Sequence, residues 1–144
     1  MTSQLQRAER FHALHQGEHA FVIPNPWDIG SARLLEGLGF AALATTSAGC
    51  ANALGRLDGE VSRDEALAHC RTLCAATNLP VTADLENGFG REPEAVAETI
   101  RLAAQAGLVG GSIEDYGGAP EHRIYAFELA VERVVAAVEA ARSL

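Results

Sequence analysis

The chain has 144 residues, 48% hydrophobic and 21% charged, with a formal net charge of −8. That is enough for one domain with a real core, and it is not the composition of a disordered segment. The acidic balance argues against a nucleic-acid or anionic-membrane partner held by bulk electrostatics, and because every basic residue is an arginine, Schiff-base chemistry on a lysine is excluded within this segment.

No apolar run approaches the roughly 20 residues that span a bilayer, and the polar, mixed-charge N-terminus does not read as a signal peptide. The odd set Cys50, Cys70 and Cys74 suggests reduced thiols in a cytoplasm.

The first nineteen residues read as an extra helix, through Phe11 and Leu14, packed across the bottom of the fold. Residues 20–23 form a short apolar run closed by Pro24, Asn25 and Pro26, which reads as a buried strand meeting a loop. Asp28 caps a helical stretch that ends on Gly37 and Gly39. Residues 40–46 read as a second strand, followed by a long polar loop. Ser62 and Glu65 form a capping box that opens the next helix. Residues 80–86 read as a third strand and 92–107 as a third helix, with Ala95, Val96, Ile100, Ala103 and Ala104 on one face. Residues 110–115 read as a fourth strand, followed by a glycine-proline loop. Residues 125–144 then form a long helix whose apolar face includes Leu129, Val131, Val134, Val135 and Val138.

Apolar strands joined by helices call for a parallel sheet. Eight such units close a barrel in about 250 residues, so four units over residues 1–144 look like half of a (β/α) barrel of the TIM type. The half is a truncated piece, or two copies complete each other, or the sheet is open. An open doubly wound sheet is weakened by the absence of G-x-G-x-x-G after the first strand.

In parallel α/β folds the site lies at the carboxyl ends of the strands. Asp84 and Glu86, two apart, would share one face of the third strand, and Glu114 closes the neighbouring strand at the same height. Carboxylates converging there repel unless a cation sits among them. An oxygen-only set suits Mg2+ first and Mn2+ second. By spacing alone the same residues also fit solvated caps and loops. The small residues Ser47, Ala48 and Gly49 after the second strand are candidates for binding an anion through backbone amides, or form a plain loop.

Taken together, these strand ends resemble the isocitrate lyase/phosphoenolpyruvate mutase superfamily over nearly the whole chain. PNPWDIGSARLLEGLGFAALATTSAG is similar to the opening of its small bacterial members. ADLENGFG resembles the family's D-x-D/E-x-G-[YF]-G metal segment, SIEDY its I-E-D strand end, and LGRLD, ending in Asp58, its loop aspartate. The resemblance implies that Asp84 coordinates Mg2+ directly while Asp58, Glu86 and Glu114 hold its waters. It implies that Ser47 and Gly49 grip a small 2-oxo or 2-hydroxy carboxylate, whose adjacent C–C or P–C bond is broken or made through an enolate. A homo-oligomer is the family expectation.

Two departures bear on activity. The lyases' K-[KR]-C-G-H loop is replaced by YGGAPEHRIYAFE, without cysteine or lysine, and the mutase-type lysine-threonine-asparagine loop is missing too. The family's later strands lie outside these residues. The expected activity is thus a Mg2+-dependent lyase or decarboxylase, with a phosphonate enzyme or an inactive, self-associating half-barrel as alternatives. His122, in the loop after the fourth strand, is the histidine to test as an acid/base group. Cys50 has no base beside it in sequence. Cys70 and Cys74, near His69, read as core packing. His12, His15 and His19 read as a solvated face, and Trp27 as packing near the site.

Overall fold

A computed structural model of the protein describes residues 2–119 and 122–144, and all of their side chains except those of Ala119 and His122. The helices begin where the caps place them. Ser3, Asp28 and Ser62 each close a capping box at the start of α1 (Gln4–His15), α2 (Ile29–Gly37) and α4 (Arg63–Ala76), satisfying amides that have no helical partner. Pro93 starts α5 (Pro93–Gln105), at the position where a missing N–H costs nothing. Beyond α2, Gly39 takes φ +88°, a backbone that a side chain would strain.

Three strands, β1 (Leu43–Ala44), β2 (Val81–Asp84) and β3 (Gly110–Ser112), form a parallel sheet in that order. Leu43 pairs with Val81, Thr82 with Gly110, and Asp84 with Ser112. On β2, Val81 and Ala83 are buried and Thr82 and Asp84 half-buried. The core joins the sheet to α2, α4 and α5 through Leu43, Leu73, Val81, Leu85, Ala103 and Leu108, with Cys70 and Cys74 among them. Burying each large side chain contributes roughly 1.5–3 kcal/mol. α1 lies across the amino ends of the strands: Gln4 Nε2 donates to the carbonyls of Ala104 and Leu108, and Arg7 Nη1 to that of Cys74.

Four expectations are corrected. Residues 20–23 form no strand; the extended segment meets the sheet through the Ala44 amide and the Pro24 carbonyl at 3.1 Å, because Pro24 and Pro26 cannot donate to a ladder. The Ser47–Ala48–Gly49 turn is the first part of a helix, α3 (Ser47–Ala53), capped by Thr46. The loop after the fourth strand contains an antiparallel pair, β4 (Tyr116–Ala119) and β5 (His122–Ile124). Finally, α6 (Phe127–Arg142) buries Arg133, Ala137 and Ala140 against the body. Its expected apolar face, Val131, Val134, Val135 and Val138, is 43–49% exposed. His12, His15 and His19 are exposed, as expected of a solvated face, and the His15 ring also lies edge-on to Phe11 and Phe21.

Among the described residues, no helix is long and apolar enough to cross a membrane. The sheet as described is three-stranded and open, and between α6 and the segment that follows β3 lies a groove of about 740 Å³ lined by Ile113, Glu114, Phe127, Val131, Val134 and Val135.

Gly49 is buried where α3 presses on Trp27. A Cβ there would stand 2.6 Å from Thr46 Cγ2 and Trp27 Cδ1, closer than packing allows. Gly49→Ala should therefore cost about 1–3 kcal/mol, a fall of a few degrees in a circular-dichroism melt. An unchanged melting temperature would show that Trp27 is not seated there.

Candidate metal centre

The rim is built by the register of the sheet. β2 ends on Asp84, and the chain then turns sharply, with Glu86 at φ +48°. Asp84 and Glu86 are therefore not two positions of one continuous strand, as their spacing suggested. Leu85, fully buried between them, drives the turn into place. The Leu85 amide donates to the Ser112 carbonyl at 3.2 Å, and the Glu114 amide to the Glu86 carbonyl at 2.8 Å. These bonds continue the β2–β3 pairing past its last ladder residue, so Glu114 is fastened directly beside Glu86.

Asp84 is held by the neighbouring elements. Its Oδ2 accepts from the Ser47 amide at 3.0 Å and its Oδ1 from the Glu86 amide at 2.9 Å. The buried Thr45 hydroxyl accepts from the Asp84 amide at 3.1 Å. Each carboxylate oxygen keeps a free lone pair, because one N–H uses only one.

The electrostatics mark the rim. Burial first, and then the negative charges of Asp58, Asp84 and Glu114, push the Glu86 carboxyl up to about 7. Glu114 is raised too, by burial and then by Asp84 and Asp58. No cation stands among these causes. The charges of Asp58 and Asp84 thus reach both glutamates of the rim, as expected of neighbouring carboxylates.

Whether they fit a divalent cation is a question of donor type and number. All the donors are oxygens, which suits a hard cation. Among the described residues, no three acidic, histidine or cysteine side chains converge closely enough to cage a metal. Carboxylate donors are those of Mg2+, which keeps several waters and takes one or two carboxylates directly; the acidic set supplies none of the sulfur and nitrogen ligands typical of structural Zn2+ sites.

The other candidates divide. Ser47 N is committed to Asp84, and Gly49 N lies 3.5 Å from Thr46 Oγ1, a long contact. Ala48 is exposed in the first turn of α3, where an amide has no helical acceptor. Cys50 is buried beside the site, and burial followed by Glu86 pushes its thiol up, the opposite of an activated nucleophile. Cys70 is pushed up to about 12 and Cys74 to about 11, mainly by burial. His122 begins β5, but the acid/base expectation for its side chain falls outside the described residues.

Three groups escaped the sequence reading: Thr45, His69 and Arg133. Thr45 ties the ends of β1 and β2. His69 lines a cavity of about 10 Å³ with Ser47, Cys50, Asp84 and Glu86, room for about one water. Arg133 is a charged residue at the same helical spacing as the small buried Ala137 and Ala140, and that spacing is the signal that could have found it.

The chain is 31% identical to 2-methylisocitrate lyase of Escherichia coli (strain K12) over 138 residues, 90% of the chain and 47% of that protein. It superposes on a crystal structure from Burkholderia cenocepacia J2315, described only in general terms as a lyase/mutase, with a TM-score of 0.97 and 60% identity, over 98% of this chain and 51% of that one. It also superposes on 2,3-dimethylmalate lyase, a PEP mutase/isocitrate lyase superfamily member, with a TM-score of 0.82 and 26% identity, over 99% of this chain and 50% of that one. The chain thus spans about half the length of these relatives. Residues 11–144 match the phosphoenolpyruvate phosphomutase family, and the chain belongs to that family, within the isocitrate lyase/PEP mutase superfamily.

Proposed function

We propose that this chain carries the metal-binding part of a Mg2+-dependent lyase or decarboxylase, acting on the bond next to the carbonyl of a small 2-oxo or 2-hydroxy carboxylate. The observation that carries this reading is the raised Glu86 and Glu114 carboxyls, on which Asp58 and Asp84 both act beside burial, at the rim where the Glu114 amide bonds the Glu86 carbonyl. Asp84 would bind Mg2+, or Mn2+, directly, with Asp58, Glu86 and Glu114 holding its waters. A cation there would polarise the 2-oxo group and stabilise the negative charge developing on it.

The chain's own residues would do the rest. The Ser47 hydroxyl and the amides at the start of α3 would orient the substrate carboxylate. The Ser47 amide and Thr45 hydroxyl hold Asp84 in place through their bonds to it. His122, which begins β5, is the histidine to test as the proton-transfer group. Lyase and phosphorylmutase names both occur among the relatives, so a phosphonate enzyme stays as the alternative reading.

The sheet is read as a four-unit sector of a (β/α) barrel over residues 1–144, with residues 1–19 as an extra N-terminal helix. A second observation favours self-association: the groove between α6 and the segment after β3 is open and lined by the exposed Val131, Val134 and Val135. The occupant of the groove is then a second copy of this chain in a homo-oligomer, inside the cytoplasm.

Three outcomes test these statements. In D2O with Mg2+, the chain should exchange the C3 protons of pyruvate or oxaloacetate, followed by NMR, and Asp84→Ala should lower the rate by about 100-fold or more. No exchange by the wild-type chain at any Mg2+ concentration overturns the catalytic reading. The second concerns pH. The folded-state pKa of Glu86, about 7, lies above the ordinary value of 4.5, so the folded state holds the proton more tightly. The stability this contributes is present below about 4.5 and is lost as pH rises to about 7. Glu86 is half-exposed, so after solvent screening the loss is on the order of 1 kcal/mol. Mg2+ favours the ionised form, and should raise the melting temperature more at pH 8 than at pH 5; an equal or absent rise would count against a cation at this rim. Third, static light scattering should give twice the chain's 15.2 kDa, falling to one chain in Val134→Glu. A monomeric wild-type chain overturns self-association.

A further inference from the structure

The turn that presents Glu86 is held in an unfavourable backbone. Glu86, Gly88 and Phe89 all lie at positive φ, +48°, +78° and +58°. Two of the three are not glycine, and such residues persist in this region only where their surroundings over-determine them. The turn's own bonds are local: Gly88 N to Leu85 O at 2.8 Å, and Phe89 N to Asn87 Oδ1 at 3.0 Å.

Its carbonyls are fastened from outside. Arg133 Nη1 donates to the carbonyls of Gly90, at 2.6 Å, and Arg91, and its Nη2 donates to that of Asn87. Thr99 Oγ1, fully buried on α5, donates to the Gly88 carbonyl at 2.7 Å. The guanidinium is 1% exposed and forms no ion pair among the described residues. Its charge is met by carbonyl dipoles on one side and by the Tyr125 ring, 4.2 Å from Cζ, on the other. The Asn87 side-chain amide donates to the Tyr125 hydroxyl at 3.4 Å, so ring, cation and turn form one unit. Burying a charge without a carboxylate is expensive, and a helix that only needed packing at this position would carry an alanine, as it does at Ala137 and Ala140. A planar fork can reach three carbonyls at once, whereas an ammonium on a flexible stem cannot keep that geometry.

We infer that Arg133 on α6 is a positioning residue that clamps residues 87–91 and thereby holds Glu86 at the rim beside Asp84 and Glu114. The inference rests on the metal reading only for its effect on metal affinity; the clamp itself is independent of it.

The test compares the wild-type chain with Arg133→Lys and with Tyr125→Leu, which keeps the guanidinium and removes the ring behind it. Amide hydrogen exchange followed by NMR should show the Gly88 and Phe89 amides exchanging at least tenfold faster in Arg133→Lys. The change in Tyr125→Leu should be smaller and in the same direction, with the β2 amides unchanged in both. Mn2+ affinity, read by electron paramagnetic resonance titration, should fall about tenfold in Arg133→Lys. A merely structural arginine would instead accelerate exchange across β2 and the turn alike. That result, or wild-type exchange at Gly88 and Phe89, overturns the clamp. If Arg133→Lys does not fold, Tyr125→Leu decides by the same exchange pattern. If the wild-type chain binds no Mn2+, the metal reading fails and the exchange pattern still decides the clamp. Wild-type Mn2+ affinity in a variant with a loosened turn would overturn the link between the clamp and the rim.

Discussion

The register of the parallel sheet is the constraint on which everything at the rim depends. With Asp84 opposite Ser112, the bonds from Leu85 to Ser112 and from Glu114 to Glu86 follow directly. They bring the ends of two strands to one height. A slip of one residue would exchange the faces of β2. It would turn Leu85 and Ala83 towards the rim and drive Asp84 into the apolar layer, where an unpaired carboxylate is not tolerated. Burial of Val81, Ala83 and Leu85 therefore selects the register, and the register selects which carboxylates meet. The site is a consequence of the core.

The same comparison explains why the chain can hold four acidic residues together. A close pair of like charges costs about 1 kcal/mol in water and about 4 kcal/mol near a protein surface. Partial protonation of Glu86, with its carboxyl at about 7, relieves part of that cost. Four fully buried residues, Leu43, Leu73, Val81 and Leu85, contribute roughly 1.5–3 kcal/mol each. The apolar core outweighs the repulsion, and the fold tolerates a rim whose charges are arranged for a ligand and not for stability.

What could be read from the sequence was what local chemistry decides. The helix starts at Ser62 and Asp28 were legible because a capping box is written within four residues. The acidic set Asp58, Asp84, Glu86 and Glu114 was legible through its order along the chain and its family resemblance. The extended segment before Pro24 was misread because apolar character suggests a strand, while the two prolines remove the donors that a ladder needs. The helix at Ser47–Ala53 was misread because Ser, Ala and Gly after a strand suit a turn equally well; what turns them into a helix is the Thr46 cap and the packing of Gly49 under Trp27. The bonds from Thr45 and Arg133 join residues about 40 apart in sequence, and no local pattern encodes those.

The error at α6 is the most instructive, because both faces of that helix have a use. β-Branched residues on a helix usually mark its buried side, and Val131, Val134, Val135 and Val138 satisfied that rule. The body instead takes Ala137 and Ala140, small enough to let α6 approach α5 closely, and Arg133, long enough to reach past them to the turn after β2. The valines are left exposed, three of them, Val131, Val134 and Val135, over the groove beside the segment that follows β3. One rigid helix thus carries the clamp on one side and the unpartnered apolar surface on the other. A helix moves as a unit, so whatever covers the valines also restrains the seat of Arg133, and through it the backbone that presents Glu86. Covering the groove and ordering the acidic rim are, by this geometry, coupled through α6.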